Sequence, residues 1–308
     1  MARRIPLKIS GARDVAYRRC PVTQGIPFAE GEFRRGAPFR LIDEKGTPIA
    51  AQAAPLATWS PDLEYVRWLL VDFQLDQEPG EERTVFFEYG FEDGELGGAS
   101  DARPGENGHG AAKPVAHGHE VRIERLRAQG PNGEDTLRVD TGVLRVDFTV
   151  NARQPVRSDI IERISVLGED GWVDVVRPGG TPLLFVRDQY GREFTSVTHP
   201  SMRQLEIEEA GPLRAGICVK GTHVNEFGDT LCPYVLRFHF YAGKAEVRIV
   251  HTFIFDRYPH DTSLQAIGLR IPLDLGQELR AAVGGSGGAG SASGSGGVAG
   301  PGGAGDAN

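Results

Sequence analysis

Apolar residues in this chain recur in short runs, not at helical spacing. "RIPLKIS", "FRLIDEKGTPIAAQ", "YVRWLLVDFQL" and "RTVFFEYGF" are rich in Val, Ile, Phe and Tyr, and Gly, Pro and Asp separate them. Such runs predict β-strands. In "YVRWLLVDF" one face carries Tyr65, Arg67, Leu69, Val71 and Phe73, and the other carries Val66, Trp68, Leu70 and Asp72. Both faces are largely apolar, as in a strand covered on both sides. Trp68 is therefore expected in the core, and Trp59, which precedes Ser60–Pro61, nearer the surface. A small closed barrel accounts for the chain up to about Phe91.

A second series of strand patterns begins near Glu120. It runs through "EVRIERL", "LRVDTGVLRVDFTV", "SDIIERISVL", "TPLLFVRD", "RQLEIEEAGPLRAGICVKGT", "YVLRFHFYAGKAEVRIVHTFIFD" and "SLQAIGLRIPL". Longer strands joined by hairpin-like turns predict an antiparallel β-sandwich. Apolar residues at i, i+3, i+4 and i+7 are almost absent, so the fold class is all-β. Four segments follow: a barrel over 1–92, a linker or large loop over 93–118, a sandwich over 119–280 and a tail over 281–308. The linker, "DGELGGASDARPGENGHGAAKPVAHG", and the Gly/Ser/Ala-rich tail hold too few apolar side chains to form a core, and both are expected to be disordered. A natural tail, an interdomain linker and a shifted reading frame all fit that abrupt change in composition.

The hairpin in "YVLRFHFYAGKAEVRIVHTFIF" yields the candidate site. With a two-residue Ala242–Gly243 turn, Tyr241 opposes Lys244, Phe240 opposes Ala245 and Phe238 opposes Val247. The outward face then carries Arg237, His239, Tyr241 and Arg248, with His239 across from Glu246 and Arg237 across from Arg248. Arginine grips a carboxylate with two parallel hydrogen bonds, so this face suits an acidic sugar. The plainer alternative is a solvated sheet face with ordinary cross-strand pairs.

Charge narrows the partners. Lys and Arg total 34 against 42 acidic residues, a net charge of −8. Nonspecific attraction to nucleic acid or an anionic membrane surface is not expected. No apolar run is long enough to span a bilayer, and "MARRIPLKIS" lacks the apolar stretch of a secretory signal, so the default compartment is cytoplasmic. Three cysteines, Cys20, Cys218 and Cys232, argue against a disulfide framework; a bridge from Cys218 to Cys232 across two neighbouring strands is the alternative to the expected free, buried thiols. No ligand spacing implies a metal, and no cofactor is expected.

The segment "CPVTQGIPFAEGEF", Cys20 to Phe33, has no base near its thiol, no Gly-Lys-Ser/Thr ending and no dinucleotide spacing. Gly25 and Gly31 are expected to supply turns at positive φ, and Glu30 and Glu32 to form a solvated face. Followed by "FRLIDEKGTPIAAQ" and "ATWSPDLEYVRWLLVDFQLD", this segment resembles the N-terminal RIFT-type barrel of the exo-rhamnogalacturonan lyase family, which includes YetA-like bacterial proteins. "EEAGPLRAGICVKGTH", "LRFHFYAGKAEVRIVHTFIFD" and "IGLRIPL" resemble that family's central β-sandwich, so the resemblance covers most of residues 5–275. Family members tend to place a D-G-S-type turn before V-R-W, where this chain has "SPDLEYVRW". The family continues into a long helical catalytic region that is not seen here.

The resemblance implies the β-domain portion of a polysaccharide-lyase-like protein, non-catalytic by itself and associated with pectin or rhamnogalacturonan. An autonomous lyase acting by β-elimination is the competing enzyme reading, and an inert fragment is the third. Arg237, His239, Tyr241 and Arg248 are the candidate carbohydrate-binding residues, and an acidic polysaccharide or oligosaccharide is the candidate partner.

Overall fold

The computed structural model describes residues 2–60, 64–91, 119–127, 135–151, 157–176, 182–274, 281–283 and 290–292. The expected linker at 93–118 lies outside them, as does the tail apart from two short strands. Seven strands form the first unit: β1 (Arg3–Ser10), β2 (Tyr17–Pro27), β3 (Phe39–Ile42), β4 (Pro48–Ile49), β5 (Ala51–Thr58), β6 (Val66–Gln77) and β7 (Glu82–Tyr89). They pair as β1-β7-β3-β4 and β2-β6-β5. Alternation puts Val85, Phe87 and Tyr89 of β7 and Leu69, Val71 and Phe73 of β6 into one core. Phe28 stacks on Phe33 at 4.6 Å between ring centres, and Phe39 on Phe87 at 5.0 Å. The segment Cys20–Phe33 is thus a strand and turn of the barrel wall.

The second unit contains β8 (Arg122–Leu126), β9 (Asp135–Asp140), β10 (Leu144–Asn151), β11 (Ile161–Gly168) and β12 (Gly171–Val176). After these come β13 (Leu184–Asp188), β14 (Glu193–Thr195), a 3-10 turn (Pro200–Met202), β15 (Gln204–Ala210), β16 (Arg214–Val224), β17 (Thr230–Tyr241), β18 (Val247–Phe253) and β19 (Leu264–Leu269). One sheet runs β12-β11-β10-β9-β8 and the other β18-β17-β16-β14-β13-β19, with β15 also paired to β16. Their inner faces share one apolar core, where Phe148 of β10 meets Phe238 and Phe240 of β17 edge-on at 5.0 and 6.1 Å. This is a β-sandwich, and the fold is all-β. In the tail, β20 (Ala281–Val283) pairs with β21 (Gly290–Ala292). No helix among the described residues is long and apolar enough to cross a membrane.

Three expectations are corrected. Trp68 is not a core residue: it is 43% exposed, comparable to Trp59. Trp68 shares a face of β6 with Leu70 and Asp72, and that face lies outside the barrel while Leu69, Val71 and Phe73 point in; its indole lies over Gly25. Gly25 accordingly sits within β2 and makes no turn; a Cβ there would stand 2.6 Å from Trp68 Nε1. Gly31 does adopt the expected positive φ, 79°. The β17–β18 register is also offset by two residues. Phe240 opposes Val247, His239 opposes Arg248 and Arg237 opposes Val250. The connecting loop is longer than two residues, because Gly243 N–H and Lys244 N–H bond to Thr141 O and Tyr241 O. A two-residue offset leaves every side chain on its expected face and changes its cross-strand partner.

Candidate functional site at the barrel–sandwich junction

The outward sides of β5 and β6 carry polar groups where the barrel meets the sandwich. Gln52 is 3% exposed and makes four bonds across the junction. Its Oε1 accepts from Leu213 N–H at 2.8 Å and Arg214 N–H at 2.9 Å, and its Nε2 donates to Glu209 at 3.0 Å and Arg214 O at 3.2 Å. Gly211 leaves room for this amide; a Cβ there would stand 2.2 Å from Gln52 Oε1. Asp72 accepts from Thr23 Oγ1 and from Arg214 Nη1, the latter at 2.9 Å. Arg214 Nη1 also lies 3.3 Å from Glu209. Gln74 donates to Ala242 O at 3.0 Å, and Lys244 Nζ to Arg18 O at 2.8 Å.

Two carboxylates, Asp72 and Glu209, therefore face one guanidinium with almost no water. One negative charge is left over, and a proton neutralises it at lower cost than burial of the charge. Burial, then the neighbouring Asp72 charge, raises the Glu209 pKa to about 8.

The four residues selected from sequence lie on the face beside this junction. Arg214, in register with Tyr241, also donates from Nη2 to His239 Nδ1 at 3.1 Å. An arginine can only donate, so Nδ1 is the acceptor and the His239 ring proton sits on Nε2. Burial, then the Arg214 and Arg248 charges, lowers the His239 pKa to about 4. Tyr241 is half-buried, and its pKa is raised mainly by burial, against the lowering pull of the nearby Arg214 and Arg248 charges. Arg248 is exposed, and no carboxylate among the described residues is ion-paired with it. Arg237 is separate: its Nε donates to both Glu208 oxygens, at 3.0 and 2.8 Å. The structure thus groups His239, Tyr241 and Arg248 around Arg214 and ties Arg237 to an acid.

Nearby, ligand atoms of Glu206, Glu208 and Cys218 lie within 4.8 Å of one another. Glu206 is ion-paired with Lys220 and Glu208 with Arg237, while burial pushes the Cys218 thiol up. These donors are already committed and carry no metal assignment. All three cysteines are free.

Thr23, Gln52, Asp72, Glu209 and Arg214 were not singled out from sequence. Each is an ordinary polar residue on a strand, and their meeting depends on how two units pack. Thr23, Gln52 and Asp72 do fall within the three barrel segments that carry the family resemblance, and Glu209 and Arg214 within a sandwich segment.

A RIFT barrel fastened to a β-sandwich by a buried polar clasp defines the architecture. Residues 9–86 match the PcRGLX-like N-terminal RIFT barrel domain, and residues 131–281 match the PcRGLX-like protein central beta sandwich domain. The chain belongs to this PcRGLX-like, YetA-like family of rhamnogalacturonan-lyase-like proteins. It is 24% identical over 261 residues to uncharacterized protein YetA of Bacillus subtilis (strain 168). The match spans 82% of this chain and 25% of the relative's length.

Proposed function

We propose that these β domains hold an acidic, uronate-containing saccharide for a rhamnogalacturonan-lyase-like protein and do not perform β-elimination themselves. β-Elimination needs a base for the proton beside the uronate carboxyl group and a cation to neutralise the carboxylate as charge develops. The observation that carries the reading is the bond from Arg214 to His239 Nδ1. It occupies the lone pair a base would use, and the lowered pKa of His239 makes it a weak base. Tyr241, raised in pKa, keeps its proton at neutral pH. Glu209 is buried among Gln52, Asp72 and Arg214, out of reach of a polymer.

Arg248 and Tyr241 then form the cation-and-hydroxyl pair for a carboxylate, with His239 Nε2–H as a further donor. Calorimetric titration with a rhamnogalacturonan oligosaccharide tests this. Arg248→Ala should weaken binding about tenfold or more, the scale of one charge-assisted pair. Arg237→Ala should change it little, because Glu208 already neutralises that guanidinium. Equal affinity of wild type and Arg248→Ala removes this face from the function.

A further inference from the structure

The barrel contacts the start of β16 and the end of β17. Their opposite ends, joined by the turn Asn225–Asp229, present different chemistry. A cleft of about 610 Å³ lies there between β14 and the turn, lined by Arg157, Arg192, Glu193, Val197, Asn225 and Phe227 among others. That volume suits a small ligand of one or two rings.

Arg157 is held in place before any ligand arrives. Its Nε and Nη2 both donate to Val197 O, at 3.1 and 2.8 Å, and Nη2 also reaches Asn225 O at 3.3 Å. No carboxylate among the described residues is ion-paired with it. The other charges of the cleft are matched more closely. Glu193 is bound by Arg270 and Arg187, and Arg192 by Asp188. Glu226, on the turn, is the remaining acid of the lining. The formal charges of the lining balance, Arg157 and Arg192 against Glu193 and Glu226, so the cleft selects an anion through the position of Arg157 and not through an excess of positive charge.

Phe227 stands beside Arg157 at 80% exposure. Its turn is stiff: Asn225 Oδ1 accepts from Phe227 N–H at 3.0 Å and Asp229 N–H at 2.8 Å, and Gly228 takes φ 91°. A large aromatic side chain held out in solvent by a rigid turn gains nothing for the core, and it offers a flat apolar face to a ligand. The outer face of the five-stranded sheet makes an instructive contrast. There Arg145 covers the Trp172 ring at 3.7 Å, and Arg138, Arg145 and Arg163 are paired with Asp147, Asp140 and Asp174.

We propose that the cleft beside the Asn225–Asp229 turn is a second saccharide site that takes a carboxylated pyranose, with its carboxylate on Arg157 and its ring face on Phe227. The carboxylate follows from the fixed guanidinium; the pyranose rests on the proposed function above. A pre-positioned guanidinium loses little side-chain entropy on binding, which favours affinity.

The test is calorimetric titration of the full chain with a rhamnogalacturonan oligosaccharide and with a neutral oligosaccharide of equal length. Wild type, Arg157→Ala, Arg157→Lys, Phe227→Ala and Arg248→Ala are compared, with urea midpoints to verify folding. Wild type should bind the acidic ligand at two sites. Arg157→Ala and Phe227→Ala should each lose one of them, weakening it tenfold or more, and Arg157→Lys should keep it only in part. Phe227→Ala should leave the urea midpoint unchanged, so its loss of binding cannot be a folding defect. Two intact sites in both Arg157→Ala and Phe227→Ala would overturn the cleft and leave the Arg248 site standing. Loss in those variants with Arg248→Ala unchanged would support the cleft and remove the Arg248 site. No binding by wild type would overturn both.

Discussion

Glu209→Gln is the sharpest perturbation of the clasp between barrel and sandwich. Glutamine keeps the shape of the side chain and still accepts from Gln52 and donates toward Asp72, but it has no proton to release. In the wild-type protein the Glu209 pKa lies above its ordinary value of 4.5, at about 8, through burial and the adjacent Asp72 charge. The sign follows from linkage. The Glu209 contribution to stability is fully present below pH 4.5 and is lost as pH rises through about 8. Between those limits the unfolded chain gives up a proton that the folded chain retains, a slope of about 1.4 kcal/mol per pH unit for one proton. The total is on the order of a few kcal/mol, a large part of the stability of an ordinary domain. His239, His223 and His251, all lowered in pKa by burial, contribute the opposite slope below pH 6.5 and cancel when variant and wild type are compared at the same pH. Urea unfolding at pH values from 5 to about 9 supplies the measurement. Wild type should lose stability relative to Glu209→Gln as pH rises, and the variant should be the more stable protein near pH 9. A constant difference between the two across that range would show that Glu209 carries no trapped proton and would refute this account of the clasp.

Gly211→Ala should cost about 2–3 kcal/mol, because its methyl displaces Gln52 and breaks buried hydrogen bonds; a near-neutral midpoint would mean that the amide moves freely. Trp68→Ala should cost about 1 kcal/mol or less, since the indole is outside the barrel, and a loss above 3 kcal/mol would return Trp68 to the core. The Tyr234 hydroxyl is buried against Gly221 with no hydrogen-bond partner among the described residues, so Tyr234→Phe should be neutral or stabilising by about 1 kcal/mol in thermal or urea unfolding. A clear destabilisation would reveal an internal water bonded there.

Much of the fold was legible because strand alternation is local. β17 puts Phe238 and Phe240 inside and Arg237, His239 and Tyr241 on the other face, as expected, and the two-residue offset in the hairpin kept both faces intact. Trp68 misled because apolar residues on both faces of "YVRWLLVDF" read as a strand covered on both sides, whereas the face that carries Trp68, Leu70 and Asp72 lies outside the barrel and is only partly covered. Gly25 misled because a strand glycine accommodating a neighbouring ring reads like a turn glycine. The candidate face was found by alternation alone. Its chemistry was not, since the state of His239 depends on Arg214, which is 25 residues away in sequence. Thr23, Gln52 and Asp72 were visible only as parts of segments that resemble a family; their shared role at one junction needed three-dimensional packing.

The central claim is that the chain engages an acidic saccharide without cleaving it. β-Elimination creates an unsaturated uronate that absorbs in the ultraviolet, so one progress curve tests the claim most directly. The purified chain is incubated with rhamnogalacturonan oligosaccharides, with and without added calcium, at a concentration where calorimetry registers binding. The account predicts a flat absorbance trace under saturating ligand. A steady rise that disappears in His239→Ala or Arg248→Ala would contradict it and place a working lyase site on the β17–β18 face.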